Sequence, residues 1–386
     1  MSHRIVIVGA GYAGLPAANR LARQLRPDEA SVTLISAFRD FVERPRLHQL
    51  AVGQAIEQVP LTRFLRGVEL VTASVTGIDP ATRTVHTTDA TIGYDTLVYA
   101  LGSNIDVTSV PGVAQHCASL VGADAATTLR DRLTSLATGG GTVTVCGGGL
   151  TGIETVAEIA ASFPNLRTRL VTSGSPGGWL SDKGRRYLAS TFAELGVDVV
   201  DNTRVERAEA GRLVLADGRH LPFDMCVWAA GFTVPTLART AGLAVDATGR
   251  ALVDETLRSV SHADVYVIGD AAAVAGTWGE QLAMGCRTGG FTGPKVADII
   301  AARLTGREPA PFAYRYFHEC ISLGRQHGLV QFLNADETPK NRVLTGRTAI
   351  TYKNAVLNGA RLLFRHPGPM FARRRHLGPV KESSAL

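Results

Sequence analysis

Two loops of the same spacing, Gly-x-Gly-x-x-Gly, constrain this 386-residue chain more than any other feature. The first reads GAGYAG, with Gly9, Gly11 and Gly14; the second reads GGGLTG, with Gly147, Gly149 and Gly152. Such a loop turns a strand tightly into a helix and lets backbone N–H groups approach a pyrophosphate. One loop alone is a weak signal. Here each has an apolar strand before it (HRIVIV, TVTVC), a helical pattern after it, and a further strand downstream, at 31–36 and 167–173. The chain therefore asks for two dinucleotides. It predicts an α/β fold with two Rossmann-like, doubly wound, three-layer dinucleotide-binding domains, followed by a C-terminal α+β region.

Other segments repeat this punctuation. DTLVYALGS closes at Gly102, FDMCVWAAGF closes the second unit in the same way, and VYVIGD ends in Gly269 and Asp270. An aspartate at the carboxyl end of a strand sits where ligands gather in such sheets and can accept hydrogen bonds from sugar hydroxyls. The expected layout is one discontinuous domain (1–115 and 250–305), a second at 116–249 and a third at 306–386. The stretch EQLAMGCRTGGFTGPKVADIIAARL is compatible with a helix, with an interruption expected at Gly-Gly and Gly-Pro.

Bulk properties narrow the class. Ten Lys or Arg and no Asp or Glu lie between Lys340 and Lys381; removing these ten from the 40 basic residues leaves 30 against 34 acidic ones. The basic excess belongs to the tail, which argues against a nucleic-acid partner. The start MSHRIVIVGAG has no signal-peptide pattern, and no apolar run reaches the ~18 residues of a membrane span. The expectation is a cytoplasmic protein, at most peripheral on the inner face of the membrane. The five cysteines are too scattered for a disulfide framework, a metal site or a redox pair. They read as small buried residues, with Cys286 the one to watch.

With these pieces in order, the chain resembles the two-dinucleotide-binding flavoprotein reductases of the pyridine nucleotide-disulfide oxidoreductase superfamily. Within them it is most similar to type II NADH dehydrogenases and apoptosis-inducing-factor-like NAD(P)H:quinone oxidoreductases. The resemblance covers residues 3–330 and implies FAD on the first loop and NAD(P)H on the second. It implies hydride transfer from NAD(P)H to flavin N5 and reduction of a quinone-like acceptor. It places Gly102 and Gly269 in FAD-binding turns and Asp270 on the ribityl chain. The segment FVERPRLHQL resembles one that places a lysine beside the flavin N5; His48 falls in its register, a candidate proton donor with a pKa expected near neutrality. Arg44 and Arg46 are read as contacts to FAD or an anion, and Glu154 as the carboxylate near the nicotinamide and flavin, sharing a helix face with Glu158.

The departures matter as much. The acidic residue that binds the adenosine ribose is replaced by Ser36 in the first unit and Thr172 in the second, so NADH and NADPH both stay open, with Lys183, Arg185 and Arg186 nearby. No cysteine occurs in 36–60, so electrons are expected to leave the flavin directly. Gln281 keeps half of a quinone-side motif; Gly285 and Cys286 stand where its later glutamines would be. Residues 348–365 form a potential amphipathic helix and FARRRHLGPVK a basic cluster, for a membrane surface, for the protein's own domain or for a second subunit in a homodimer. The alternatives are a soluble tailoring oxidoreductase acting on one aromatic or quinone metabolite, a redox-sensing flavoprotein, or a ferredoxin-type reductase.

Overall fold

The computed structural model describes residues 2–368 and 374–378. The first unit runs β1 (His3–Val8), α1 (Gly14–Gln24), β2 (Ala30–Ser36), the short helix α2 (Leu47–Leu50), β3 (Glu69–Thr72) and β4 (Thr96–Tyr99). The second runs β5 (Ala118–Ser119), α3 (Ala123–Gly139), β6 (Gly141–Cys146), α4 (Leu150–Ser162), β7 (Leu166–Val171), α5 (Asp182–Glu194), β8 (Asp198–Val200) and β9 (Met225–Trp228). The chain then passes through β10 (Val265–Val267) and α6 (Cys286–Leu304). It finishes in β11 (His318–Ser322), β12 (Gly328–Leu333), β13 (Pro339–Thr345) and α7 (Gly346–Arg365).

The two units share one topology. The first sheet has the order β10-β4-β1-β2-β3 and the second β5-β9-β6-β7-β8, and every pairing in both is parallel. In each, a three-stranded antiparallel meander (strands within 75–93 and 205–222) is inserted where the chain returns from the outer strand to the neighbour of the central one, between β3 and β4 in the first unit and between β8 and β9 in the second. The strand order reverses beside β1 and again beside β6, which are the strands that feed the glycine loops; this is the crevice where a doubly wound sheet takes its ligand. Ile5, Ile7 and Val8 on β1, and Val143 and Val145 on β6, are fully buried, as central parallel strands covered on both faces require.

The expected break in α6 does not occur: the helix is continuous from Cys286 to Leu304 through Gly289, Gly290, Gly293 and Pro294. Its glycines are there for contact. A Cβ on Gly293 would fall inside the Ala13 carbonyl, and one on Gly289 would lie 3.5 Å from Ala13 N. Packing α6 onto the head of α1 outweighs the ~1 kcal/mol per glycine lost in propensity. The C-terminal region is an antiparallel sheet, β11-β12-β13, with α7 across it.

The chain's last described residues fold back onto the body. Arg375 N donates to Gln24 O at 3.0 Å, Leu377 N to Glu29 Oε2 at 2.6 Å and Gly378 N to Leu304 O at 2.9 Å. This part of the basic cluster expected on a membrane is a strap over α1 and α6; the rest of that cluster lies outside the described residues. No described helix is long and apolar enough to cross a membrane.

Candidate functional site

The two glycine loops are built alike. Gly9 and Gly147 hold φ at +104° and +125°, and a side chain on either would run into the backbone of the facing strand end, Ala100 or Ala229. A Cβ on Gly14 or Gly152 would fall inside the carbonyl of Gly9 or Gly147. The middle glycines, Gly11 and Gly149, have nothing within 4 Å of a Cβ position. Each loop is thus locked on its inner side and open at its centre, which is the shape that admits a pyrophosphate.

Around the first loop, the predicted residues come together. Gly102 and Gly269 both hold φ at +67° in the turns after β4 and β10. Asp270 accepts from Ser103 Oγ at 2.6 Å and from Gly285 N at 2.7 Å, and Arg44 Nη1 donates to Ser103 O at 2.6 Å. An ionised carboxylate has room for further donors, so Asp270 remains able to take a sugar hydroxyl. Arg46 is not free for a cofactor, contrary to expectation: it bonds Glu43 (3.1 Å), Gln49 and Asn354 (3.1 Å), pinning α2 to α7. Ser36 sits at the end of β2, but its hydroxyl exchanges hydrogen bonds with the Phe38 backbone. Gln281 is exposed, and Arg250 holds its side-chain oxygen. Cys286 opens the first turn of α6 with protein crowded around it, yet it is exposed to solvent. That crowding first, and Asp270 next, push its thiol up to about 11. Cys146 and Cys226 are buried as expected, whereas Cys117 and Cys320 are only partly so.

The central finding is a buried charge cluster. Glu154, just past the first turn of α4, accepts from Lys353 Nζ and from Ser322 N (2.8 Å). Lys353 also donates to Ser322 Oγ at 2.9 Å, and His48 Nδ1 lies 3.6 Å from Glu154 Oε2. Glu154 and Lys353 are each 7% exposed and His48 4%. Burial pushes the Glu154 carboxyl up, but Lys353, His48 and the Ser322 N–H together outweigh it, and the net shift is down. Burial lowers His48 to about 4, overturning the expectation of a histidine that titrates near neutrality. One turn along α4, Glu158 is pushed the opposite way, to about 7, by burial first and by Glu154 second; Gln54 Nε2 donates to it at 2.8 Å.

In the sequence alone, Lys353 is only one charge within the amphipathic stretch 348–365. The signal was there: it shares a stripe with buried Ala349, Leu357 and Phe364, and a lysine on the apolar side of a helix needs a partner.

In the second unit, Thr172 ends the strand segment as predicted. It is buried, and its hydroxyl lies against Gly148 and 3.5 Å from Gly174 N. Arg185 is spent on Asp182 and on the carbonyls of Gly178 and Leu180.

The residues around the first loop suit FAD. The loop centre is open, Asp270 has acceptor capacity to spare, and two buried polar atoms, His48 Nε2 and Tyr12 Oη, have no partner among the described residues.

Residues 3–294 match the family described as pyridine nucleotide-disulphide oxidoreductase, and the chain belongs to it. An NADH dehydrogenase-like protein of Mycobacterium tuberculosis is 31% identical over 309 residues, 74% of this chain and 77% of that one. A type II NADH:quinone oxidoreductase of Staphylococcus haemolyticus is 25% identical over 94% of this chain and 98% of its own length. Among solved structures, NDH2 from Plasmodium falciparum in complex with NADH matches with a TM-score of 0.81 at 15% identity, over 97% of this chain and 99% of that one. The sulfide:quinone oxidoreductase of Aquifex aeolicus matches with a TM-score of 0.80 at 22% identity, over 95% and 92%. Both share the fold.

Proposed function

We propose that this chain is an FAD-dependent NAD(P)H dehydrogenase that delivers electrons to a quinone-like small molecule. The observation that carries the reading is the buried cluster of Glu154, Lys353 and His48, which joins the helix opened by the second glycine loop to α2 of the first unit and to α7. Reducing a quinone by two electrons consumes two protons, so the acceptor end needs groups that hold protons away from bulk water. Lys353 presents N–H donors that Glu154 and Ser322 orient. His48 is neutral near pH 7, and its Nε2, unpartnered among the described residues, is free to bond a small molecule.

Gly9, Gly11, Gly14, Arg44 with Ser103, and Asp270 would hold FAD, which when bound supplies the two-electron carrier between nicotinamide and acceptor. The second loop and Thr172 would seat NAD(P)H. Similarity along almost the whole length to an NADH:quinone oxidoreductase supports both assignments. Sheet membership supports the division into 1–115 with 250–305, 116–249 and 306–386. The outer stripe of α7, with Val356, Leu362 and Leu363 exposed, supports contact with a membrane surface, where a lipophilic quinone would be met.

Anaerobic stopped-flow tests the reading: flavin bleaching by NADH and by NADPH, then mixing with a soluble quinone. Fast bleaching followed by fast recovery is expected, and His48→Ala should slow recovery more than bleaching. Recovery that a quinone does not accelerate would overturn the acceptor assignment. Equal slowing of both phases would make His48 structural.

A further inference from the structure

The proposed function leaves the choice of nicotinamide nucleotide open, and the edge of the second sheet bears on it. Thr172 N donates to Val200 O at 3.0 Å and Thr203 N to Thr172 O at 3.1 Å, so the turn after β8 folds across the end of β7. There the surface opens into a depression of about 390 Å³ lined by Ser173, Asn202, Thr203, Arg204, Ala216 and Asp217. In a doubly wound unit, the adenosine ribose of a loop-bound dinucleotide falls beside this strand end. A carboxylate there takes the 2′-hydroxyl of NADH, whereas a nearby arginine accommodates the 2′-phosphate of NADPH.

The charges of the depression favour the second case. The carboxylate position holds buried Thr172. Asp217, the one acid in the lining, is already committed to Arg219: Nε lies 2.7 Å and the backbone N 3.0 Å away, with the backbone bond the chief influence lowering its carboxyl. Neighbouring arginines are likewise taken, Arg169 by Asp198 and both Arg207 and Arg212 by Glu209. Arg204 differs: it is exposed and makes no ion pair or side-chain hydrogen bond among the described residues. Ser173 and Asn202 offer their polar groups beside it, also without side-chain partners. With Asp217 neutralised, the depression carries a net positive charge and donors but no free acid.

We propose that this depression receives the 2′-phosphate of NADPH, with Arg204 as the specificity-determining residue and Ser173 and Asn202 as supporting donors. The inference rests on the reading that the second glycine loop holds a nicotinamide nucleotide. It replaces Lys183, Arg185 and Arg186, none of which lines the depression, as the residues that decide the choice.

The test is equilibrium titration of the flavin-loaded protein with adenosine 2′,5′-bisphosphate and adenosine 3′,5′-bisphosphate, alongside kcat/KM for NADPH and NADH. The 2′ isomer should bind at least about tenfold tighter, as one charge-assisted contact supplies, and NADPH should be preferred. Arg204→Gln should abolish both differences and Arg204→Lys should keep part of them; its exposure makes either variant safe for the fold. Equal binding of the two isomers, a preference for NADH, or an equal loss of NADH and NADPH in Arg204→Gln would each overturn the assignment, the last by making Arg204 a support for adenine. Failure of all four nucleotides to bind would instead sink the functional reading of the second loop, and this inference with it.

Discussion

The two glycine loops share spacing, strand order and inner contacts, yet they end in different surroundings. In the first, the residues between the second and third glycines, Tyr12 and Ala13, are buried; in the second, Leu150 and Thr151 are half-exposed. Over the first loop lie Gly289 and Gly293 of α6, against Ala13, and an aromatic group in which Tyr12 meets Phe41 at 5.3 Å and Phe364 at 5.1 Å between ring centroids. Beside the second loop's strand ends lies an open depression. One motif thus makes two kinds of site: a first one roofed into the core, suited to a group that stays, and a second one at the surface, suited to a molecule that comes and goes.

The sharpest way to break this contrast is to cut the tie that holds the second loop's helix to the rest. Lys353→Met strands the Glu154 carboxylate, and the expected loss is about 3–5 kcal/mol of stability, read from denaturant unfolding. Adding Glu154→Gln should recover much of it; no recovery would mean that Lys353 acts by packing alone.

Next in size are two opposed titrations along α2 and α4. His48, with a folded pKa of about 4 against 6.5, contributes stability above pH 6.5 that is lost as pH falls toward 4. Glu158, with about 7 against 4.5, contributes stability below pH 4.5 that is lost as pH rises through 7. Each amounts to about 3 kcal/mol and they offset one another between pH 4.5 and 6.5. Relative to the parent, Glu158→Gln should steepen the fall in unfolding free energy on acidification and His48→Gln should reverse it. Identical pH profiles for the two variants would contradict the opposite signs.

Gly293→Val tests the roof. It should cost about 1–3 kcal/mol through forced separation of α6 from α1 and lower the flavin absorbance retained after gel filtration. Gly149→Ala, into open space at the second loop, should leave melting and flavin content unchanged and weaken only nucleotide binding. The smallest effect is expected on the surface: Leu362→Glu with Leu363→Glu should reduce co-sedimentation with anionic vesicles without altering the melting temperature.

How much of this could be read in advance follows the range of the interactions. Glycine loops, buried strands and strand-end turns are set by local backbone chemistry, and they appear where the sequence places them. The continuity of α6 was not readable, because Gly289, Gly293 and Pro294 signal a break locally and only the contact with Ala13 explains them. The charge cluster was half readable. His48 and Glu154 stand out by register, but the burial that lowers the His48 pKa is tertiary, and the donors that hold Glu154, Ser322 and Lys353, lie 168 and 199 residues away from it. Of the three partners of Arg46, Glu43 and Gln49 are local, and only Asn354, 308 residues away, is hidden for the same reason.

Those separations order events during synthesis. Both glycine loops leave the ribosome with their own strands and helices and can fold as units, but Glu154 and Ser322 wait for α7. A nascent chain that has already formed both glycine-loop folds still lacks the buried Glu154–Lys353 contact until α7 emerges, so the tie between the second loop's helix and the C-terminal region is made only after the folds it joins.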